Sequence, residues 1–154
     1  MRIENSLPRL EETRLRQFEA LIGAPLPADY RAFLLAHNGG KPTPSGFRFL
    51  KPDKTYSESC VAWLYGIQDG GEYFNSLELR YRGYKGRMPA TILPIGGDQG
   101  GNQVCISIAG PDVGHVYFWD HEREADPDED EEPSYDNLYF VADSFSNFLI
   151  GCFD

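Results

Sequence analysis

Three histidines and three cysteines are all this chain offers to a metal or a disulfide, and neither set is spaced for one. Cys60, Cys105 and Cys152 are far apart, odd in number and free of any CxxC pairing. That excludes a disulfide framework and fits a reducing cytoplasmic home with the thiols as small core residues. His37, His115 and His121 lack the convergent spacing of a zinc site, so no metal and no cofactor are expected. No apolar run approaches the roughly 18 residues of a membrane helix. The opening MRIENSLPRLEET is polar and lacks the apolar core of a signal peptide. The Gly-rich GGDQGGN at 96–102 contains no lysine and joins two apolar runs that both read as strands. A phosphate cradle requires a strand feeding a helix N-terminus, so nucleotide binding is set aside.

Positive charge is also scarce: 14 Lys and Arg stand against 24 Asp and Glu, for a net charge of -10. Its distribution says more than its total. The window 120–136 holds ten acids and one base, Arg123, a net of -9; the rest, with 14 acids and 13 bases, carries only -1. A nearly neutral domain thus bears one strongly negative segment, which repels nucleic acid and steers cationic partners. The segment RYRGYKGR at 80–87 is the opposite pole, but Tyr81 and Tyr84 fall on a helical packing stripe and its bases on a solvated face.

The 154 residues, 41% of them hydrophobic, suffice for one domain with a real core. Leu10, Leu15, Phe18, Leu21 and Ile22 gather on one face of a helix over 9–22 that Gly23 stops. Pro27 opens a second helix over 28–37, closed by Asn38-Gly39-Gly40. Residues 46–50 and 61–65 read as strands separated by the polar loop KPDKTYSES. A third helix spans about 75–84. The runs TILPI, QVCISI and HVYFW, broken by Gly-rich turns, form an antiparallel meander. A strand over 138–142 and a short helix capped by Asp143 or Ser144 complete the order. The expectation is a single α+β domain over 1–154, with about six strands in a mostly antiparallel sheet, helices on one face and an acidic loop at about 120–136.

Four blocks carry a resemblance: LPADYRAFLLAHNGG at 26–40, ILPIGGDQGGNQVCISI at 92–108, VYFWDHE at 116–122 and VADSFSNFLIGCF at 141–153. Together, in this order, they resemble the SUKH superfamily, the group of fungal cell-wall assembly regulators and many bacterial immunity proteins. The resemblance implies an α+β fold and protein binding rather than catalysis. Its motif positions fall on Leu26, Pro27, Tyr30, Phe33, Leu34, Asn38, Gly39, Leu93, Pro94, Gly96, Gly101, Asn102, Trp119, Asp120, Phe145 and Phe148, mostly apolar or turn-forming residues that read as fold determinants. The DPDEDEEP run at 126–133 is more acidic than the family pattern requires.

The functional expectation is therefore a non-enzymatic, cytoplasmic immunity protein that blocks a cationic toxin domain such as a nuclease. Closely spaced carboxylates resemble a phosphate backbone, and charge complementarity chooses the partner and speeds encounter. The contact residues expected are Asp126, Asp128, Glu129, Asp130, Glu131 and Glu132, joined by Asp98, Gln99 and Asn102 if that hairpin shares their surface. Tyr135 and Tyr73 are aromatic anchors by residue type. DPDEDEE lacks the central Gly of a calcium loop, and the plain alternative for it is a solvated loop. Two other readings stay open: a regulatory scaffold of the cell-wall regulator type, and an enzyme using Cys105 and His115.

Overall fold

A computed structural model describes residues 1–154. The α+β architecture expected from the sequence is present, with a curled antiparallel sheet of seven strands and an added two-stranded ribbon. The ribbon pairs β1 (Arg2–Glu4) with β2 (Lys41–Thr43). The main sheet contains β3 (Gly46–Leu50), β4 (Tyr56–Cys60), β5 (Trp63–Leu64), β6 (Ile92–Gly97), β7 (Gln103–Ser107), β8 (Val116–Trp119) and β9 (Leu138–Ala142). Their order is β4-β3-β9-β8-β7-β6-β5.

The strand count rises from about six to seven because Tyr56–Cys60 pairs with β3, from Gly46↔Cys60 to Leu50↔Tyr56. It is an edge strand built from polar residues, so its alternation carries no apolar signal. The strand expected over 61–65 shortens to Trp63–Leu64: Tyr65 N still donates to Ile95 O of β6, while Val61 N turns away to Ser45 O. The meander stands as expected, with Leu93 opposite Ile106 and Val104 opposite Phe118.

Helix α1 (Glu12–Ile22) buries Leu15 and Phe18 and ends at Gly23, whose φ of 77° suits only a residue without a Cβ penalty. It begins three residues later than its apolar pattern suggests, because Glu11 is still extended. Helix α2 (Ala28–His37) has the bounds read from Pro27 and Asn38, and it buries Tyr30, Phe33 and Leu34. Helix α3 (Leu77–Tyr84) follows a 3₁₀ turn over Tyr73–Asn75 and is capped by the Ser76 hydroxyl. Helix α4 (Phe145–Ile150) takes its cap from Ser144, one of the two candidates.

Both faces of the central strands are covered. Val104, Ile106, Val116 and Phe118 join the main core with Leu15, Phe18, Tyr30 and Phe145 from the helices. On the opposite face Cys105, Tyr117 and Trp119 meet Tyr84 and Met88. Helices α1, α2 and α4 therefore serve one face, while the end of α3 and the residues after it close the other. Alternation alone leaves the buried face of Cys105 open, and the structure buries both.

Candidate functional site

The β6–β7 hairpin is the ridge on which the site is built. Asp98 folds it: Oδ1 accepts from Gly100 N (2.8 Å) and Asn102 N (2.9 Å), while Oδ2 accepts from Asn102 Nδ2 (2.9 Å) and Ser59 Oγ (3.0 Å). This carboxylate satisfies a turn, as short acidic side chains do, and ties the turn to β4. Asn102 Oδ1 then accepts from His121 N (3.1 Å), tying the hairpin to the segment after β8.

Beside this ridge opens a cleft of about 940 Å³. Its floor holds Phe49, Phe118 and Tyr139, with the first two rings parallel and 4.0 Å apart. Its walls carry Asp53 and Glu58 from the β3–β4 side, Asp98 from the hairpin, Asp120 and Glu122 after β8, and Glu131 and Asp136 from the acidic tract. Two cations, Lys51 and Arg123, face these seven carboxylates, a net of -5. Acids scattered over the sequence are thus concentrated on one concavity, where low-dielectric walls focus their field.

The acidic tract folds as two short 3₁₀ turns, His121–Arg123 and Pro127–Glu129. Asp120 Oδ1 accepts from Glu122 N (3.0 Å) and its Oδ2 from the Tyr139 hydroxyl (3.1 Å). Asp126 caps the second turn through Asp128 N (2.9 Å), and Asp126 N donates to Glu131 (3.1 Å). Arg87 grips Glu124 with two bonds of 3.1 and 2.9 Å, its guanidinium lying over the Tyr84 and Trp119 rings. The Glu124 hydrogen bonds push Arg87 to a still higher pKa against the opposing effect of burial.

At the far end Tyr135 donates to Asp112 (2.8 Å), as do Tyr117 (2.8 Å) and Ser107 (2.9 Å). Burial alone would raise the Asp112 pKa; the three hydroxyl donors prevail and hold it below the ordinary carboxylate value. Stability from this depressed pKa is present above an ordinary Asp value of about 4 and lost as pH falls through the folded value. Asp112→Asn is expected to flatten the acid limb of a stability-versus-pH curve and to speed amide exchange around Tyr135, both measurable on the purified protein.

The expected contact residues separate into groups. Glu131, Asp98 and Asn102 meet in the cleft. Asp126 borders a neighbouring recess beside Arg87 and Glu124. Gln99 opens on the other side of the ridge, toward a second recess. Asp128, Glu129, Asp130 and Glu132 are exposed and line neither the cleft nor the recess beside Arg87. Missing from that set were Glu58 and Asp53, which a strand assignment for 56–60 would have exposed as candidates, and Asp120, Glu122 and Asp136, which the charge window contains. Tyr135 is half-exposed but bound to Asp112, and Tyr73 lies away from the cleft.

Cys105 and His115 are not brought together. Cys105 pairs with Tyr117, whereas the His115 carbonyl accepts from Ser107 N. The Cys105 thiol is fully buried 3.9 Å from the Met88 sulfur, and burial pushes its pKa well up, which disfavours a nucleophilic thiolate. No group of three or more His, Cys, Asp or Glu side chains has a metal-holding arrangement.

The model of the SMI1 / KNR4 family (SUKH-1) matches residues 9–151. The chain belongs to that family. Among curated relatives, the SPbeta prophage-derived uncharacterized protein YokK of Bacillus subtilis (strain 168) is 30% identical over 155 residues, covering 92% of this chain and 73% of the relative. The SUKH-1 match spans all nine strands except β1, all four helices and the acidic cleft. Within it, the motif positions Leu34, Leu93, Trp119, Phe145 and Phe148 are core residues, as expected of fold determinants. No helix is long and apolar enough to cross a membrane.

Proposed function

We propose that this SUKH-1 domain is a non-enzymatic protein-binding module of the immunity type, which neutralises a cognate cationic toxin domain inside the producing cell. Proteins of this family typically act through protein partners, and a prophage-derived protein stands among its relatives. The observation that carries the reading is the cleft beside the β6–β7 ridge, where seven carboxylates face two cations over an aromatic floor. A basic nuclease surface adapted to a phosphate backbone finds there a comparable density of negative charge. The cleft, rather than the outer tip of the acidic tract, is assigned as the contact. Asp98 and Asp120 shape the cleft; Glu122 and Asp136 present free charge at its rim, beside Glu58, which pairs with Arg48 at 3.2 Å, and Glu131, which accepts from Asp126 N. A growth-rescue assay tests the immunity reading. Cells expressing the toxin-like gene encoded beside this one are expected to recover growth when this chain is co-expressed. A well-expressed chain that leaves the toxic phenotype unchanged would overturn the reading.

A further inference from the structure

On the other side of the hairpin ridge lies a second recess, of about 770 Å³, with opposite chemistry. Its wall is aromatic: Trp63 and Phe74 meet edge to face at 5.3 Å, Tyr65 lies beside them, and Phe74 remains half-exposed. Two cations lie on these rings. The Lys41 ammonium sits 5.2 Å from the Trp63 ring, and the Arg80 guanidinium is held between Tyr65 (4.8 Å) and Tyr73 (4.4 Å). Arg80 donates its Nε and one terminal nitrogen to the Tyr73 and Phe74 carbonyls (3.1 and 3.3 Å), which fixes the guanidinium in place at the recess.

Neither cation forms an ion pair, although the chain carries a net charge of -10. The two carboxylates at this recess are already engaged. Glu4 pairs with Arg2 at 3.1 Å, and both oxygens of Asp98 are taken by the hairpin and Ser59. Lys41 and Arg80 are formally matched by Glu4 and Asp98, yet neither carboxylate pairs with them, and both cations are mounted on aromatic faces that favour a planar apolar group beside an anion.

We propose that this recess is a second recognition site, which takes an aromatic peptide segment bearing a carboxylate from a protein partner. The carboxylate meets Arg80 and Lys41, and the neighbouring aromatic side chain packs against Trp63 and Phe74. Exposed aromatics and a pre-positioned Arg are the residue types that anchor protein interfaces. Two cations suit one carboxylate; a nucleic acid strand would extend over the acidic ridge and be repelled by the rest of the chain. The site shares Asp98 with the acidic cleft across the ridge, but its two cations and its aromatic wall lie outside that cleft.

Titration of the full chain by NMR tests it, using the peptide Ac-Gly-Asp-Phe-Gly-NH2 and its neutral counterpart Ac-Gly-Asn-Phe-Gly-NH2. Trp63 is the half-buried tryptophan and Trp119 is fully buried, so the two indole signals separate site binding from global change. The acidic peptide is expected to shift the Trp63 indole and the Gln99 amide and leave Trp119 unmoved, with the neutral peptide about tenfold weaker. Arg80→Gln abolishes the shift, and Lys41→Gln, which leaves the carbonyl-bound guanidinium in place, weakens binding about threefold. Equal response to both peptides, no shift at about 10 mM peptide, or full binding by Lys41→Gln overturns the proposal. Tighter binding of oligothymidylate at the same signals would overturn it in favour of single-stranded nucleic acid.

Discussion

Replacing Asn38 by Ala is expected to destabilise the protein by about 4 kcal/mol, a large share of the roughly 5–15 kcal/mol that holds a domain of this kind together. Asn38 is 2% exposed and its side chain stitches three segments. Nδ2 donates to Pro8 O (2.6 Å) and Ile67 O (2.9 Å), and Oδ1 accepts from Ile67 N (2.8 Å). Truncation leaves a buried N–H and buried carbonyls without partners, each costing about 1–3 kcal/mol, partly offset where the site relaxes. Asn38 also sits at φ 31° to end α2, a conformation that Ala disfavours. The surroundings cannot close in, because Gly66 already lies so near that any Cβ there would collide with the Asn38 carbonyl. Urea unfolding measures the effect as a shift in midpoint at constant slope. Asn38→Gly separates the causes: it tolerates the dihedral but lacks the amide, so most of the loss should persist. A loss below about 1 kcal/mol for both variants would mean the amide is not the stitch.

Asn38 also shows where the sequence runs out. Its position after an amphipathic helix and before two glycines announces a C-cap, and α2 ends there. The tertiary role of its amide is invisible, because Pro8 and Ile67 are 30 and 29 residues away. The same division runs through the fold. Apolar periodicity marks α1, α2, the meander and β9 because each buries a continuous stripe or face. It misses β4 and the β1–β2 ribbon, whose short edge strands have mostly exposed side chains. At the site, composition shows that charge is concentrated near 120–136. Which of those carboxylates point into one cleft depends on the 3₁₀ turns, on the Arg87–Glu124 pair and on a β4 that the pattern reads as loop. Asp98 shows a further limit: its charge is legible in the sequence, but not that its oxygens are bound by the hairpin and by Ser59.

Removing four rim charges from the cleft is expected to slow association with a cationic toxin domain about 10- to 100-fold at low salt, with the difference shrinking as ionic strength rises. The substitutions are Glu58→Gln, Glu122→Gln, Glu131→Gln and Asp136→Asn. They avoid Asp98 and Asp120, whose carboxylates hold the hairpin and the turn after β8. Glutamine at 131 retains an oxygen for the Asp126 N–H. The fold should therefore persist, and the effect should fall on the encounter rate more than on the lifetime of the complex. Placement of charge, and not its total, is the claim at stake. A matched variant removes the same number of charges from the exposed tip, through Asp128→Asn, Glu129→Gln, Asp130→Asn and Glu132→Gln. The deciding measurement is the stopped-flow association rate of the purified toxin domain with wild type and these two variants, at low and physiological salt. The account predicts a large loss for the cleft variant and a clearly smaller one for the tip variant. Equal losses, or a larger loss at the tip, would contradict the assignment of the cleft as the partner-binding surface.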